Sequence, residues 1–190
     1  VPDPGGAGAE GALRPAVFLD RDGVLNRVLI RDGMPFGPMT LAEFVLVEGA
    51  AGDVRRLKDA GYTVIVATNQ PELARGRLER AALDAMHARL RAEVPVDAIF
   101  VCPHDDADRC ACRKPQPGLL LSAAREHGID LPRSYMVGDR WRDVEAGKGA
   151  GCRTVLVEMG YREALKSPPD HVAAGLREAV RWILGDRAER

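Results

Sequence analysis

Three observations predict an α/β fold, a parallel sheet covered by helices on both faces. Short apolar runs bounded by Gly, Asp or Asn alternate with longer stretches of helical periodicity. The short runs are apolar at nearly every position, as strands buried on both faces are. Several of them stop abruptly at charged or amide residues, and open parallel sheets bind their ligands at the carboxyl ends of strands.

Strands are expected at 16–19, 62–67, 98–101, 134–137 and 153–157. A helix over 50–60 runs into Gly61, a residue suited to ending it. A helix over 79–92 puts Leu83, Met86, His87 and Leu90 on one stripe. Pro117 and Gly128 bracket a helix over 118–127, the usual proline-first, glycine-last asymmetry. Helices over 143–150 and 172–184 complete the set. Residues 1–14 are mostly Gly, Ala and Pro with little to bury, and a flexible leader is expected there. Residues 15–186 are expected to form a single domain.

The chain of 190 residues is 46% hydrophobic and 29% charged, the balance of a soluble globular protein. Lys plus Arg is 27 against 28 for Asp plus Glu, a net charge of −1 that excludes binding to polyanions by bulk charge. No apolar run approaches the ~20 residues a membrane span needs. The expectation is a cytoplasmic monomer whose partner is a small molecule, with neither nucleic acid nor membrane.

The strand ends carry the chemistry. The first strand ends in Asp20-Arg21-Asp22-Gly23. Two carboxylates leaving a buried strand are costly unless something uses them. Mg²⁺ would compensate them, since it takes one or two carboxylates together with phosphate oxygens. A carboxylate can also attack phosphorus, with a second one donating and accepting protons; the plainer alternative is a turn. The second strand ends in Thr68-Asn69-Gln70, a hydroxyl and two amides that suit phosphate oxygens or, alternatively, a local turn or helix cap. Arg113 and Lys114, before Pro115, are held extended with their side chains diverging. One can neutralise a phosphoryl group while the other reaches a more distant group. The fourth strand ends in Gly138-Asp139-Arg140-Trp141-Arg142-Asp143. Asp139 leaves this strand directly, a second place where a carboxylate meets a cation, and Asp143 is read as a helix N-cap or a partner of the site.

In this order and at these strand ends, the residues resemble the haloacid dehalogenase superfamily of phosphatases, from Ala16 to about Leu184. The resemblance implies a Rossmann-like three-layer sandwich with a five-stranded parallel sheet in the order 5-4-1-2-3, Mg²⁺ and an aspartyl-phosphate intermediate. It implies Asp20 as nucleophile and Asp22 as acid and base. Thr68 and Lys114 would stabilise the transferring group, and Asp20, the backbone oxygen of Asp22 and Asp139 would hold Mg²⁺. Between residues 26 and 48 there is room for a flap over the site but for no large cap.

Cys102, His104, Cys110 and Cys112 offer three thiolates and an imidazole within eleven residues. Such a set fits a closed tetrahedral structural Zn²⁺, whose binding would order a loop too polar to fold on its own core. Cys152, beside the last expected strand, reads as a small buried hydrophobe. A Cys-x-His and Cys-x-Cys loop just before Arg-Lys-Pro looks like the compact zinc-containing branch of the superfamily. That branch holds heptose 1,7-bisphosphate phosphatases and histidinol-phosphate phosphatase domains. The expected reaction is removal of the C7 phosphate of D-glycero-D-manno-heptose 1,7-bisphosphate, with histidinol phosphate or another small sugar phosphate as the alternative substrate. A zinc-stabilised scaffold without activity is a further alternative, as is phosphotransfer on nucleic-acid ends. Asn69, Gln70, Arg113 and Arg140 are the expected substrate contacts, Arg140 standing where the heptose enzymes usually carry Lys. Pro71-Glu72-Leu73 departs from the Ser-Gly-x of the heptose pattern, at a loop expected to line the substrate entrance.

Overall fold

The computed structural model describes residues 12–188, so the first eleven residues of the expected leader lie outside the described residues. The chain runs β1 (Ala16–Leu19), a hairpin of β2 (Leu29–Arg31) and β3 (Met34–Phe36), then α1 (Ala50–Asp59) and β4 (Thr63–Asn69). It continues with α2 (Arg80–Glu93), β5 (Ala98–Cys102), α3 (Gly118–His127), β6 (Tyr135–Gly138) and α4 (Trp141–Ala150). Strand β7 (Arg153–Val157), strand β8 (His171–Ala173) and helix α5 (Leu176–Ala188) complete it.

The main sheet is parallel, in the order β5-β4-β1-β6-β7-β8. It has six strands, which corrects the expected five in the order 5-4-1-2-3. The five expected strands lie side by side as β5-β4-β1-β6-β7, and β8 adds an edge to β7. The sequence predicts one helix over 172–184, and β8 escapes that prediction because it is only three residues long and its Val172 is 45% exposed, without the apolar run of a buried strand. Asp170 fixes it there, accepting hydrogen bonds from the backbone N–H and the hydroxyl of Thr154 at the start of β7. Helix α5 then starts after Gly175.

Alternation along β1 divides the core into two. Val17 and Leu19 join Val54, Leu57, Leu83, Met86, Val180 and Ile183 of α1, α2 and α5. Ala16 and Phe18 point the other way, onto Leu119, Leu120 and Ala123 of α3 and Ala150 of α4. Cys152 is buried in this second cluster. The result is three layers with the carboxyl ends of β1, β4 and β6 side by side.

Strand β4 runs two residues further than expected because Thr68 and Asn69 continue its ladder opposite Val101 and Cys102. Helix α4 begins at Trp141, with Arg140 at the N-cap position and Asp143 three residues further on. Between β1 and α1 the chain inserts only loops and the β2–β3 hairpin, in keeping with the expected flap. Asp32 and Gly33 both have positive φ, 52° and 76°, the pairing of a two-residue type I′ turn. Among the described residues no helix is long and apolar enough to cross a membrane.

Candidate active site

The ends of β1, β4 and β6 converge on Lys114. The residue is 1% exposed and its ammonium has three acceptors: Asp143 Oδ1 at 2.6 Å, the Ala67 carbonyl at 2.7 Å and Asp20 Oδ1 at 3.1 Å. Three donors meet three acceptors, so the charge is held without an orphan proton. Asn69 fixes the backbone behind it, accepting from Lys114 N–H at 3.1 Å and donating to the Lys114 carbonyl at 3.0 Å. Asp143 has a double role. Its Oδ2 accepts from Arg140 N–H and ties the first turn of α4, while its Oδ1 takes Lys114. This corrects the N-cap reading, because the cap position belongs to Arg140 and Asp143 reaches into the site.

Asp20, Asp139 and Asp143 are all buried, with one oxygen from each within 4.8 Å of the others. Burial, opposed by Lys114 and reinforced by Asp143 and Asp22, pushes Asp20 up to about 7. Burial and the charges of Asp20 and Asp143 push Asp139 well above the ordinary carboxylate range. One lysine does not balance three carboxylates. Asp139 Oδ1 is buried and, among the described residues, has no hydrogen-bond partner. An oxygen-only donor set with an orphaned carboxylate atom fits a hard divalent cation. Gly23 makes the close approach possible, since a Cβ there would stand 1.9 Å from Asp139 Oδ2.

Asp22 lies at the next turn in a cradle of donors. Arg21 Nε and Nη2, Asn26 Nδ2 and Gln70 Nε2 all reach its carboxylate, at 2.9 to 3.1 Å. The same Gln70 nitrogen donates to Thr68 Oγ1 at 2.9 Å, and the Thr68 hydroxyl has no acceptor among the described residues. The hairpin closes over Asp22 from above, and a Cβ on Gly37 would be 2.8 Å from its Oδ2. Arg21 itself is wholly buried, over the ring of Phe44, and donates to His87 Nε2 at 3.1 Å.

His87 is therefore a neutral acceptor, and burial together with Arg21 lowers its pKa to about 4. The unfolded chain takes up this proton near 6.5, and the folded one refuses it until about 4. Stability is thus intact above 6.5 and is lost as pH falls toward 4, by about 2–3 kcal/mol from this group. His87→Gln keeps an acceptor for Arg21 and is expected to abolish that loss. Urea unfolding at pH 7 and pH 4.5 checks it, and equal acid losses in variant and parent would count against His87.

Above this floor is a cleft of about 490 Å³, rimmed by Arg31, Arg75, Arg77, Arg113, Arg140 and Arg142. The expected divergence of Arg113 and Lys114 is present: Lys114 points into the floor, and Arg113 turns to the rim. Arg113 Nε and Arg142 Nη1 share Asp106 Oδ1, at 2.8 and 3.0 Å. Arg140 donates to Glu163, through Nε at 3.0 Å. The four loop ligands come together: Cys102, Cys110 and Cys112 Sγ lie 3.1 to 3.6 Å apart, and His104 Nδ1 is 3.6 Å from Cys102 Sγ and 3.3 Å from Cys112 Sγ. A regular tetrahedron around Zn²⁺ has sulfur–sulfur edges of ~3.8 Å, and a disulfide needs about 2.0 Å. The cluster is close to the first and far from the second. Sequence reasoning missed Arg21 with its partner His87, Arg142 with Asp106, and Tyr161, whose hydroxyl donates to Asp139 Oδ2 at 2.6 Å.

Residues 111–179 match the family model described as HAD-hydrolase-like. With that fold and this strand-end constellation, the molecule is a HAD-type phosphatase, a phosphoric monoester hydrolase. It is 37% identical over 201 residues to D-glycero-D-manno-heptose-1,7-bisphosphate 7-phosphatase of Thermosynechococcus vestitus, covering 93% of this chain and 99% of that protein. D-glycero-beta-D-manno-heptose-1,7-bisphosphate 7-phosphatase of Pseudomonas aeruginosa is 43% identical over 152 residues, 77% of this chain and 83% of the other. The crystal structure of D,D-heptose 1,7-bisphosphate phosphatase from B. bronchiseptica, complexed with magnesium and phosphate, superimposes with a TM-score of 0.78. That match has 36% identity and covers 90% of this chain and 99% of that one. The chain belongs to the heptose-1,7-bisphosphate 7-phosphatase family.

Proposed function

We propose that this protein is a Mg²⁺-dependent phosphatase that removes the C7 phosphate of D-glycero-D-manno-heptose 1,7-bisphosphate through an aspartyl-phosphate intermediate. The observation that carries the reading is the buried cluster of Asp20, Asp139, Asp143 and Lys114 under an arginine-rimmed cleft. Full-length similarity to enzymes named for that substrate supports the sugar. In the first step an Asp20 oxygen attacks phosphorus, the bond to the sugar oxygen breaks, and Asp22 gives that oxygen a proton. In the second, Asp22 takes a proton from water, the water oxygen attacks phosphorus, and the Asp20 carboxylate is released with inorganic phosphate.

Every partner of Asp22 in its cradle is a donor, the arrangement suited to the base of the second step. To act as acid it takes up a proton and gives up one of those bonds. Thr68, whose oxygen already accepts from Gln70, directs its proton at a phosphoryl oxygen, and Lys114 meets the developing charge from the other side. Asp20, the Asp22 backbone oxygen and Asp139 would hold Mg²⁺, which when bound neutralises phosphoryl charge as a Lewis acid. Asn69 supports Lys114, and Gln70 aligns Thr68 with Asp22.

The Cys102, His104, Cys110 and Cys112 cluster is read as a structural Zn²⁺ site that presents Arg113, one residue beyond a ligand, to the distal phosphate. Arg113→Ala is then expected to raise KM for the bisphosphate about 10- to 100-fold, the loss of a charged hydrogen bond, and to leave KM for a sugar monophosphate nearly unchanged. Equal effects on both would remove Arg113 from distal recognition. The reading as a whole is tested by Mg²⁺-dependent phosphate release on both anomers of the heptose bisphosphate, histidinol phosphate and several sugar monophosphates. Preference for a heptose bisphosphate is the expected result. Preference for histidinol phosphate, or turnover of none of them, would overturn the substrate.

A further inference from the structure

The segment 158–170, between β7 and β8, forms no strand or helix, yet it is tied to the site at several points. Arg162 N–H donates to the Gly33 carbonyl at the hairpin tip, and Glu163 accepts from Arg140. Between the two elements it joins, Tyr161 places its hydroxyl 2.6 Å from Asp139 Oδ2. Asp139 is 5% exposed, and its two oxygens have opposite surroundings. Oδ2 is enclosed by the Tyr161 hydroxyl and by the backbone of Gly23, where even a Cβ would stand 1.9 Å away. Oδ1 is buried without a hydrogen-bond partner among the described residues, and one oxygen of Asp139 lies within 4.8 Å of oxygens of Asp20 and Asp143.

We propose that Tyr161 is a positioning residue for the cation site: its hydroxyl fixes Asp139 Oδ2 so that Oδ1 alone is presented as a ligand. The inference rests on the reading of these carboxylates as a Mg²⁺ site. A carboxylate with one oxygen bound to a donor has its plane fixed before the ion arrives, and less ordering is left to be done on binding. Groups that orient ligating carboxylates are typically worth about 10- to 100-fold in metal affinity. Phe at this position keeps the ring and removes the donor, leaving Oδ2 unpaired in a buried place.

The test uses the whole chain and Mn²⁺ alone as the probe, titrated without substrate and followed by electron paramagnetic resonance. Tyr161→Phe is expected to raise the Mn²⁺ Kd on the order of tenfold while circular dichroism keeps the parental spectrum and Tm falls by only a few degrees. Glu163→Gln loosens the same segment without touching Asp139 and is expected to leave the Kd within twofold. A Tyr161→Phe Kd within twofold of the parent overturns the proposal, as does equal weakening by Glu163→Gln, which would credit order in the segment rather than the hydroxyl. Asp139→Asn separates the two readings. If it binds Mn²⁺ as the parent does, the metal-site reading itself fails. If it loses Mn²⁺ while Tyr161→Phe does not, only the role of Tyr161 fails.

Discussion

Asp20→Asn is expected to abolish phosphate release, by on the order of 10⁴-fold or more, as removal of a covalent nucleophile does. The fold should survive it. An asparagine oxygen can still accept from the Arg21 N–H that Asp20 holds at 2.7 Å and from Lys114. The lost charge is one the site resists, since burial pushes Asp20 up to about 7 and its neighbours Asp143 and Asp22 push in the same direction. Exchanging a poorly tolerated anion for a neutral amide leaves Tm within a few degrees of the parent. Phosphate release and thermal unfolding on the same preparation check both halves. Retained turnover would eliminate the aspartyl-phosphate route, whereas a collapsed Tm would mean that Asp20 is needed for folding.

Asp20 was legible because it stands where an uninterrupted apolar run stops. The same holds for Asp139 at the end of β6, whereas Lys114 was legible from the Arg-Lys-Pro that follows the cysteine loop. The bounds of β1, β7 and α3 followed from apolar runs and from the Pro117 and Gly128 punctuation. Strand β4 extends two residues beyond its apolar run because its last residues, Thr68 and Asn69, are polar yet continue the ladder with β5. The expected flap is a hairpin, for which Asp32-Gly33 between Arg31 and Met34 is a strong local turn signal. What stayed hidden depends on tertiary contacts. Arg21 meets His87 across 66 positions and Tyr161 meets Asp139 across 22, separations that carry no periodic signature.

Pro71-Glu72-Leu73, the departure from the heptose pattern, acquires a physical role in this light. Glu72 accepts from Arg75 at 2.6 Å, and Arg75 grips Asp105 through two nitrogens at 2.6 and 2.8 Å. The loop after β4 is thereby braced against the cysteine loop, whose Asp106 holds Arg113 and Arg142. Both sides of the cleft mouth move as one unit if these contacts hold. Exposed ion pairs of this kind add little stability individually. Their place is the mouth of the cleft, away from the carboxylates of its floor.

Lys114→Met is the second variant with a large expected effect, because it removes the one ammonium that compensates the carboxylates at the floor. Met matches the length of the stem but leaves Asp143 and Asp20 buried without their cation and the Ala67 carbonyl without its donor. Breaking a buried pair in this way costs about 3–5 kcal/mol. For a chain of this size that is a fall in Tm of roughly 6–20 °C. Lys114 also opposes the upward push on Asp20, so without it the folded state keeps its carboxyl protons to still higher pH. Between the unfolded value of 3.8 and that raised value the folded state binds more protons than the unfolded one, so stability falls as pH rises. The deficit of the variant is therefore expected to be small at pH 5 and large at pH 8. Mg²⁺ should restore part of the stability at pH 8, since it can balance the same carboxylates. It should not restore turnover, since no ammonium remains to meet the transferring phosphoryl group. Thermal unfolding at both pH values, with and without Mg²⁺, reads all of this. A variant as stable as the parent at pH 8 in the absence of Mg²⁺ would mean that the carboxylates do not depend on Lys114, and that the charge balance of the floor is set by other groups.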